Sequence, residues 1–146
     1  MANEIEASTI LGRLPACAWE VPYVGARVPG PPGEDGIKDG ANCQRYAYWL
    51  LRLFGHNMPP LRSSQLWEDE QATVRVATYE PLDLLLFSAD GRAYGAHVGV
   101  YLGGGRVLHL CREVGRPAVW TLADFAARPR SAVIVGAKRC APEHDP

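Results

Sequence analysis

The sequence lacks the features that mark membrane-spanning, secreted and zinc-binding proteins. No apolar run approaches the ~20 residues that a membrane-spanning helix needs, and the acidic start MANEIEAS is not a basic, apolar leader. Cysteines occur only at positions 17, 43, 111 and 140 and form no CxxC pair, which argues against a zinc knuckle or a thioredoxin motif. The net charge of −1 gives no reason to expect nucleic acid or a membrane as a partner. These absences predict a cytoplasmic protein that acts without a metal or another cofactor.

What the chain does contain is typical of one globular domain of mixed structure. Its 146 residues, 47% of them hydrophobic and 21% charged, can bury a core, so we expect residues 1–146 to form a single domain. Helical periodicity dominates the first half, interrupted by a turn-rich loop at 23–40, and short strands dominate the second half. Helices followed by an antiparallel sheet make an α+β fold. The predicted helices span 3–13, 42–54, a short segment capped by Ser64 with Glu68, Asp69 and Glu70 in its body, and 122–128, and the predicted strands span 82–88, 96–102, 106–111, 117–121 and 132–138.

The segment Asp39–Phe54 places a cysteine at the start of the first long helix. Asn42 is a favourable N-cap residue, and Cys43 follows at or next to the first helical position. Unpaired backbone N–H groups and the positive end of the helix dipole meet there, and both stabilise a thiolate. The alternative is an inert, buried cysteine on an amphipathic helix. The other three cysteines are expected to be packing residues or incidental surface thiols.

Two histidines fall on one hairpin in the second half of the chain. The segment Gly103–Gly105 separates two predicted strands, and a three-residue loop there would place residue 102 opposite residue 106. His97 and His109 would then lie on the same face of the sheet as diagonal neighbours within side-chain reach. A two-residue loop would put them on opposite faces, because a shift of one residue turns every side chain over.

A cysteine at a helix start and two histidines on one sheet face are suited to nucleophilic catalysis. Cys43 would attack, His97 would take its proton and later protonate the leaving amine, and His109 would orient His97. The backbone N–H of Cys43 is a candidate donor to the oxyanion. The alternative is that both histidines are buried side chains with backbone partners. The tryptophans at 19, 49, 67 and 120 could line a cleft, although partly buried core positions are more usual for tryptophan.

These residues resemble the motifs of the NlpC-type cell-wall cysteine peptidases, which have a papain-like fold. That family carries its nucleophile in a D-C-S-G type motif that opens a helix and its base in an H-V-G-I-Y-L-G type strand. A third polar residue, usually histidine, follows about a dozen positions later. The resemblance covers roughly residues 22 to 110, and the strand that begins at His97 is its most specific part. The corresponding segments of this chain are P-Y-V-G at 22–25, N-C-Q-R at 42–45, L-R-S-S at 61–64, P-L-D-L-L-L-F at 81–87, H-V-G-V-Y-L-G at 97–103 and V-L-H at 107–109.

The resemblance implies N-terminal helices packed on a central antiparallel sheet and a role for each matched residue. By position, Cys43 corresponds to the nucleophile, His97 to the base and His109 to the residue that orients the base. Tyr23 falls where the family has a tyrosine near the catalytic sulfur, and a packing aromatic is the alternative. Two positions depart from the family, because Asn42 and Gln44 replace an Asp and a Ser that help to hold the free amino group of a wall peptide. The resemblance thus implies that Tyr23, Asn42 and Gln44 are the oxyanion- or substrate-binding residues, and we expect recognition at Asn42 and Gln44 to differ from the family pattern.

The expected function is hydrolysis of an amide or isopeptide bond by a thiol protease or amidase with a Cys-His-His triad and a thioester acyl-enzyme. The expected partner is a peptide-like or small-molecule amide substrate. One alternative is an acyltransferase or thioesterase-like enzyme that uses the same three residues. The other is a catalytically silent binding module on the same scaffold.

Overall fold

The computed structural model describes residues 7–30 and 36–142. No helix in these ranges has the length and apolar character needed to cross a bilayer. Two short 3-10 turns, at Ala16–Trp19 and Pro129–Ser131, accompany the longer elements. The helices in the described ranges are α1 (Ala7–Gly12), α2 (Cys43–Leu53), α3 (Ser63–Glu68) and α4 (Leu122–Ala126), and the strands are β1 (Thr73–Val76), β2 (Leu84–Ser88), β3 (His97–Gly103), β4 (Arg106–Leu110), β5 (Pro117–Thr121) and β6 (Val133–Cys140).

The strands form one sheet in the order β1-β6-β2-β3-β4-β5, and every neighbouring pair is antiparallel. The predicted α+β class is confirmed, and all five predicted strands are present. β1 was not predicted from the sequence. It pairs with the far C-terminal strand, Thr73 opposite Cys140, and a four-residue edge strand has little signal of its own. The sheet therefore joins the two ends of the second half of the chain.

Both faces of the sheet are covered, which explains why every residue of β2 is buried. On one face, Tyr46, Leu50 and Leu51 of α2 pack with alternate side chains of β2, β3 and β4. On the other face, Phe125 of α4 packs against Phe87, with ring centroids 4.0 Å apart. Helix α2 supplies the larger cover and α4 the smaller one.

The hairpin β3–β4 places its side chains on the predicted faces of the sheet, although its turn differs from the predicted one. Val100 lies opposite Leu108, which is the register expected for a three-residue loop. The turn itself contains only Gly104 and Gly105, because Gly103 pairs with Arg106 across an irregularity after Tyr101. Gly103, Gly104 and Gly105 all have positive φ, which favours glycine. The predicted loop length is wrong. The side chains before Leu102 and after Arg106 nevertheless face the predicted sides of the sheet, because the irregularity after Tyr101 adds one residue to β3.

Helix boundaries differ from the predictions at several ends, and in α3 a polar side chain stops the helix. α1 covers part of the predicted segment 3–13, of which residues 3–6 lie outside the described ranges. α3 begins at Ser63 with Arg62 as its N-cap, so Ser64 is inside the helix. It ends at Glu68 because the Asp69 carboxylate accepts hydrogen bonds from backbone N–H groups beyond the helix, including that of Thr73 at 2.8 Å. The prediction that Asp69 and Glu70 lie in the helix body is therefore wrong. α4 ends at Ala126, two residues earlier than predicted.

The described parts of the loop at 23–40 are tied to the start of α2. Tyr23 forms an isolated parallel bridge with Ala41. The Arg45 side chain donates to the carbonyl oxygens of Gly36 and Val28, each at 2.8 Å. These contacts hold Tyr23 beside the first turn of α2.

Candidate active site

Cys43 is the first residue of α2, as the sequence predicts. Asn42 has extended backbone, and its side-chain oxygen accepts a hydrogen bond of 2.8 Å from the N–H of Arg45. This N-cap satisfies one helical N–H and leaves those of Cys43 and Gln44 at the open end of the helix. The Cys43 side chain is partly buried and faces a cavity of about 590 Å³.

The cavity brings Cys43 together with His97 and Tyr23. Trp120 of β5 and Phe125 of α4 also line it. Cys111 also lines it. Charged side chains stand around the same cavity, namely Arg112, Glu113, Arg128 and Arg130.

His97 and His109 lie on one face of the sheet and are bonded to each other. His97 Nε2 and His109 Nδ1 are 2.8 Å apart. His109 is 1% exposed and stands behind His97. Gly99 makes room for this pair, because a Cβ atom at Gly99 would lie 2.5 Å from Val107 Cγ1 and 3.2 Å from His109 Cβ. The bond leaves Nδ1 as the free ring nitrogen of His97.

Burial favours the neutral forms of the Cys43 thiol and of the His97 and His109 rings. It raises the pKa of the Cys43 thiol, while backbone hydrogen bonds from Val98, Gln44 and Cys43 itself act in the opposite direction. Burial lowers the pKa of His97 from 6.5 to about 4. The pKa of His109 falls to about 2 through burial, with smaller contributions from the charges of His97 and Arg128. The stabilisation of a thiolate expected from the helix start is present, but desolvation outweighs it.

The three residues predicted to bind substrate have different positions. Tyr23 lines the cavity, and the Arg112 guanidinium lies 5.9 Å from its ring centroid. Asn42 is 7% exposed and Gln44 is 4% exposed, and neither lines the cavity. The Asn42 side chain is the N-cap of α2, and the Gln44 amide donates to the carbonyl oxygen of Leu61 at 3.1 Å. These two side chains thus serve local structure.

Three cavity residues between positions 120 and 128 have contacts that the sequence does not predict. Trp120 was expected only as one of four tryptophans that could line a cleft, and it does line the cavity, whereas the sequence gives Phe125 and Arg128 no role. The Arg128 guanidinium carbon lies 3.9 Å from the Trp120 ring centroid, and Arg128 Nε donates to both carboxylate oxygens of Glu113, at 2.9 and 3.0 Å. A known strand register would have revealed Trp120, because it pairs with Val107, two residues from His109. In the described residues, no group of three or more His, Cys, Asp or Glu side chains could hold a metal ion.

Comparisons with known proteins bear on the fold and the family. A sequence profile of the NlpC/P60 family matches residues 30–117, more than half of the chain. A search of curated protein sequences finds no significant match.

Solved structures with similar folds include the NlpC/p60 domain of the peptidoglycan hydrolase SagA, with a TM-score of 0.56 at 21% identity over 84% of this chain and 94% of that chain. A lipoprotein-like NLP/P60 protein from Staphylococcus aureus has a TM-score of 0.62 at 18% identity, over 98% of this chain and 45% of that one. The peptidoglycan hydrolase RipB from Mycobacterium tuberculosis has a TM-score of 0.57 at 20% identity, over 94% of this chain and 65% of that one.

At these identities the structural matches show the fold, and this chain spans only 45% of the S. aureus protein and 65% of RipB. The profile match is independent of the structural matches and identifies the family. Together they confirm the predicted NlpC-type fold and the resemblance on which it was based. The chain belongs to the NlpC/P60 family of cysteine-peptidase-type hydrolases.

Proposed function

We propose that this protein cleaves an amide bond in a peptide-like substrate, with Cys43 as nucleophile, His97 as base and His109 as the residue that orients the base. One observation carries the proposal. The thiol at the start of α2 and the ring of His97 line the same cavity, and His109 holds Nε2 of that ring at 2.8 Å. A single catalytic domain formed by residues 1–146 is part of the proposal.

Acylation begins with a neutral thiol and a neutral imidazole. As the Cys43 sulfur attacks the substrate carbonyl, its proton passes to His97 Nδ1, the ring nitrogen not used by His109. The carbonyl oxygen becomes an oxyanion, and the N–H of Cys43 at the open end of α2 is the proposed donor to it. His97 then gives the proton to the leaving amine, the C–N bond breaks, and a thioester to Cys43 remains.

Deacylation repeats the proton transfers with water as the nucleophile. His97 Nδ1 takes a proton from water, the hydroxide adds to the thioester carbonyl, and the C–S bond breaks. The proton returns to the departing sulfur, so the products are a carboxylic acid and the free thiol. His109 touches no substrate atom in this scheme and acts by orienting His97.

The proposed substrate class is a peptide-like component of the cell wall. Two proteins with the same fold are named peptidoglycan hydrolases, and the cavity of about 590 Å³ has room for a short peptide segment. We propose that Asn42 and Gln44 do not contact the substrate, because their side chains are bonded within the protein. Recognition would then depend on the residues that do line the cavity.

The experiment is covalent labelling with a panel of electrophilic peptides and amides, followed by mass-spectrometric mapping of the modified residue. We expect modification at Cys43 alone, abolished by Cys43→Ala and by His97→Ala. Cys111→Ala is the matched control, because the Cys111 thiol lines the same cavity, and this variant should retain labelling at Cys43. Labelling at Cys111 in the wild type, or full labelling in His97→Ala, would contradict the proposal.

The same panel of electrophilic peptides and amides also distinguishes hydrolysis from the two alternative functions. A rapid burst of acylation with transfer to an amine or alcohol rather than to water would indicate an acyltransferase, and hydrolysis of thioesters but of no amide would indicate a thioesterase-like enzyme. A Cys43 thiol that reacts with neither the peptide panel nor iodoacetamide at neutral pH would indicate a binding module. Release of peptide from purified wall fragments by the wild type, and not by Cys43→Ala, would support hydrolysis of the proposed substrate.

A further inference from the structure

The buried side of His109 has no polar partner. Its Nδ1 is bonded to His97, but among the described residues no hydrogen-bond partner reaches its Nε2, although the residue is only 1% exposed. Two aromatic rings pack against the His109 ring. The Trp120 ring centroid lies 4.3 Å from the His109 ring centroid, with the planes at 65°, and the Phe125 centroid lies 4.7 Å away, with the planes at 56°.

A hydrogen bond between two neutral imidazoles allows two arrangements. In the first, His97 Nε2–H donates to His109 Nδ1, so the His109 proton is on Nε2 and His97 Nδ1 has a free lone pair. In the second, His109 Nδ1–H donates to His97 Nε2, so the His97 proton is on Nδ1. Only the first arrangement gives His97 a nitrogen that can accept the thiol proton. The charge state is neutral in both, and the arrangement depends on what surrounds His109 Nε2.

Aromatic rings distinguish the two arrangements because the face of a ring carries partial negative charge. An N–H group directed at such a face is attracted, whereas a nitrogen lone pair is repelled. We propose that the Trp120–Phe125 pair, packed against the His109 ring, receives its unpaired Nε2–H on an aromatic face, holds the His109 proton on Nε2 and thereby keeps Nδ1 of His97 free to act as the base. This inference rests on the proposed function only in assigning a catalytic purpose to the tautomer. Trp120 and Phe125 are positioning residues in this scheme.

The two rings are themselves held in place. Trp120 is fixed by its pairing with Val107 in the sheet. Phe125 is 1% exposed on α4, whose first turn is closed by a capping box in which the Thr121 N–H donates to the Asp124 carboxylate at 2.8 Å. The other groups acting on His109 are His97, its hydrogen-bond partner, and the Arg128 guanidinium over the Trp120 ring. The charge of Arg128 disfavours a second proton on His109, which keeps the pair neutral.

The test reads the tautomer directly. Long-range proton–nitrogen NMR spectra of 15N-histidine-labelled protein, assigned with His97→Gln and His109→Gln, should show the proton of both rings on Nε2. Trp120→Phe keeps an aromatic face and should preserve this pattern. Trp120→Leu keeps an apolar side chain without the face, and should raise the minor His109 tautomer by about fivefold, the factor expected for loss of an interaction of this kind. Alkylation of Cys43 by iodoacetamide at neutral pH should slow in Trp120→Leu only, in proportion to the fraction of the active tautomer that is lost.

A purely structural role for Trp120 predicts a different result. It would lower the stability of Trp120→Leu and leave the tautomers of the folded protein unchanged. A wild-type His109 with its proton on Nδ1, or a folded Trp120→Leu with unaltered tautomers, would overturn the inference. If Trp120→Leu does not fold, a fluorinated tryptophan placed at position 120 keeps the shape and reduces the negative charge of the face, and the same shift is expected. Because NMR needs no turnover, the tautomer can be established even if no substrate of the panel is cleaved, and that outcome would refute only the proposed function.

Discussion

Gly99 is the position where one added carbon atom should disturb the candidate site most directly. A Cβ at Gly99 would lie 2.5 Å from Val107 Cγ1, a distance that real Cβ atoms do not tolerate, and 3.2 Å from His109 Cβ. The φ of Gly99 lies outside the left-handed region, so alanine is compatible with the backbone and the clash alone determines the effect. Gly99→Ala should therefore act through overpacking, which typically costs about 1–3 kcal/mol of unfolding free energy.

The same substitution should lower activity by moving His109. To restore an ordinary contact, the His109 Cβ must shift by a few tenths of an ångström, and its 2.8 Å bond to His97 Nε2 shifts with it. Because a misplacement of about 1 Å can cost about a hundredfold in rate, we expect a loss of roughly tenfold in kcat/KM. The measurements are urea unfolding, with the slope compared among variants, and cleavage of the best substrate from the labelling panel.

Val107→Ala provides the matched partner for Gly99→Ala because it removes the Cγ1 atom that clashes. Alone it should cost about 2 kcal/mol, the usual range for a buried large-to-small change. In the double variant the added methyl group fills part of the space left by Val107. We therefore expect the double variant to be no less stable than Val107→Ala, a coupling of about 1–3 kcal/mol. Activity should recover less than stability, since the contact with His109 Cβ remains. Additive losses of unfolding free energy would refute this account of Gly99.

Three other features of the molecule each give a prediction. The pKa values of His97 and His109 are lowered to about 4 and about 2, so the unfolded chain binds more protons below pH 6.5, and the unfolding free energy should fall as the pH drops from 6.5 towards 4 and fall less in His109→Gln. Asn42→Ala should lower the unfolding free energy by about 1 kcal/mol by removing the N-cap of α2, while Asn42→Asp should preserve it, as measured by urea unfolding. A Cβ at Gly136 would clash with the Trp67 ring, so Gly136→Ala should lower the thermal midpoint, with a cost of about 1–3 kcal/mol.

The parts of the site predicted from the sequence are those that local rules determine. The cap at Asn42 and the helix start at Cys43 follow from residue types within a few positions of each other. The shared face of His97 and His109 follows from the period of a strand and the length of a glycine turn. The prediction of that shared face holds although the turn has two residues, because the irregularity after Tyr101 adds the missing residue to one strand.

The wall behind His109 could not be predicted in the same way. Phe125 and Trp120 reach His109 only after β5 pairs with β4 and α4 packs over the sheet, and no local pattern fixes either step. The same holds for β1, whose partner lies at the other end of the described chain. The hydrogen bond from the Gln44 amide could not be predicted either, because its acceptor, the Leu61 carbonyl, lies 17 residues away in the sequence.

The neutral resting state of the site follows from competition between the helix end and burial. Backbone N–H groups at the start of α2 favour a thiolate, but the removal of water from Cys43 disfavours it more, and the same removal disfavours a charged His97. In the proposed mechanism the thiol therefore keeps its proton until a substrate carbonyl is in position, and proton transfer to His97 accompanies attack. Under this condition the location of one proton decides whether His97 can act, because a neutral imidazole with its proton on Nδ1 is no base towards the thiol. The orientation of His109 and the aromatic wall behind it thus matter more in this protein than in a site that holds a preformed ion pair.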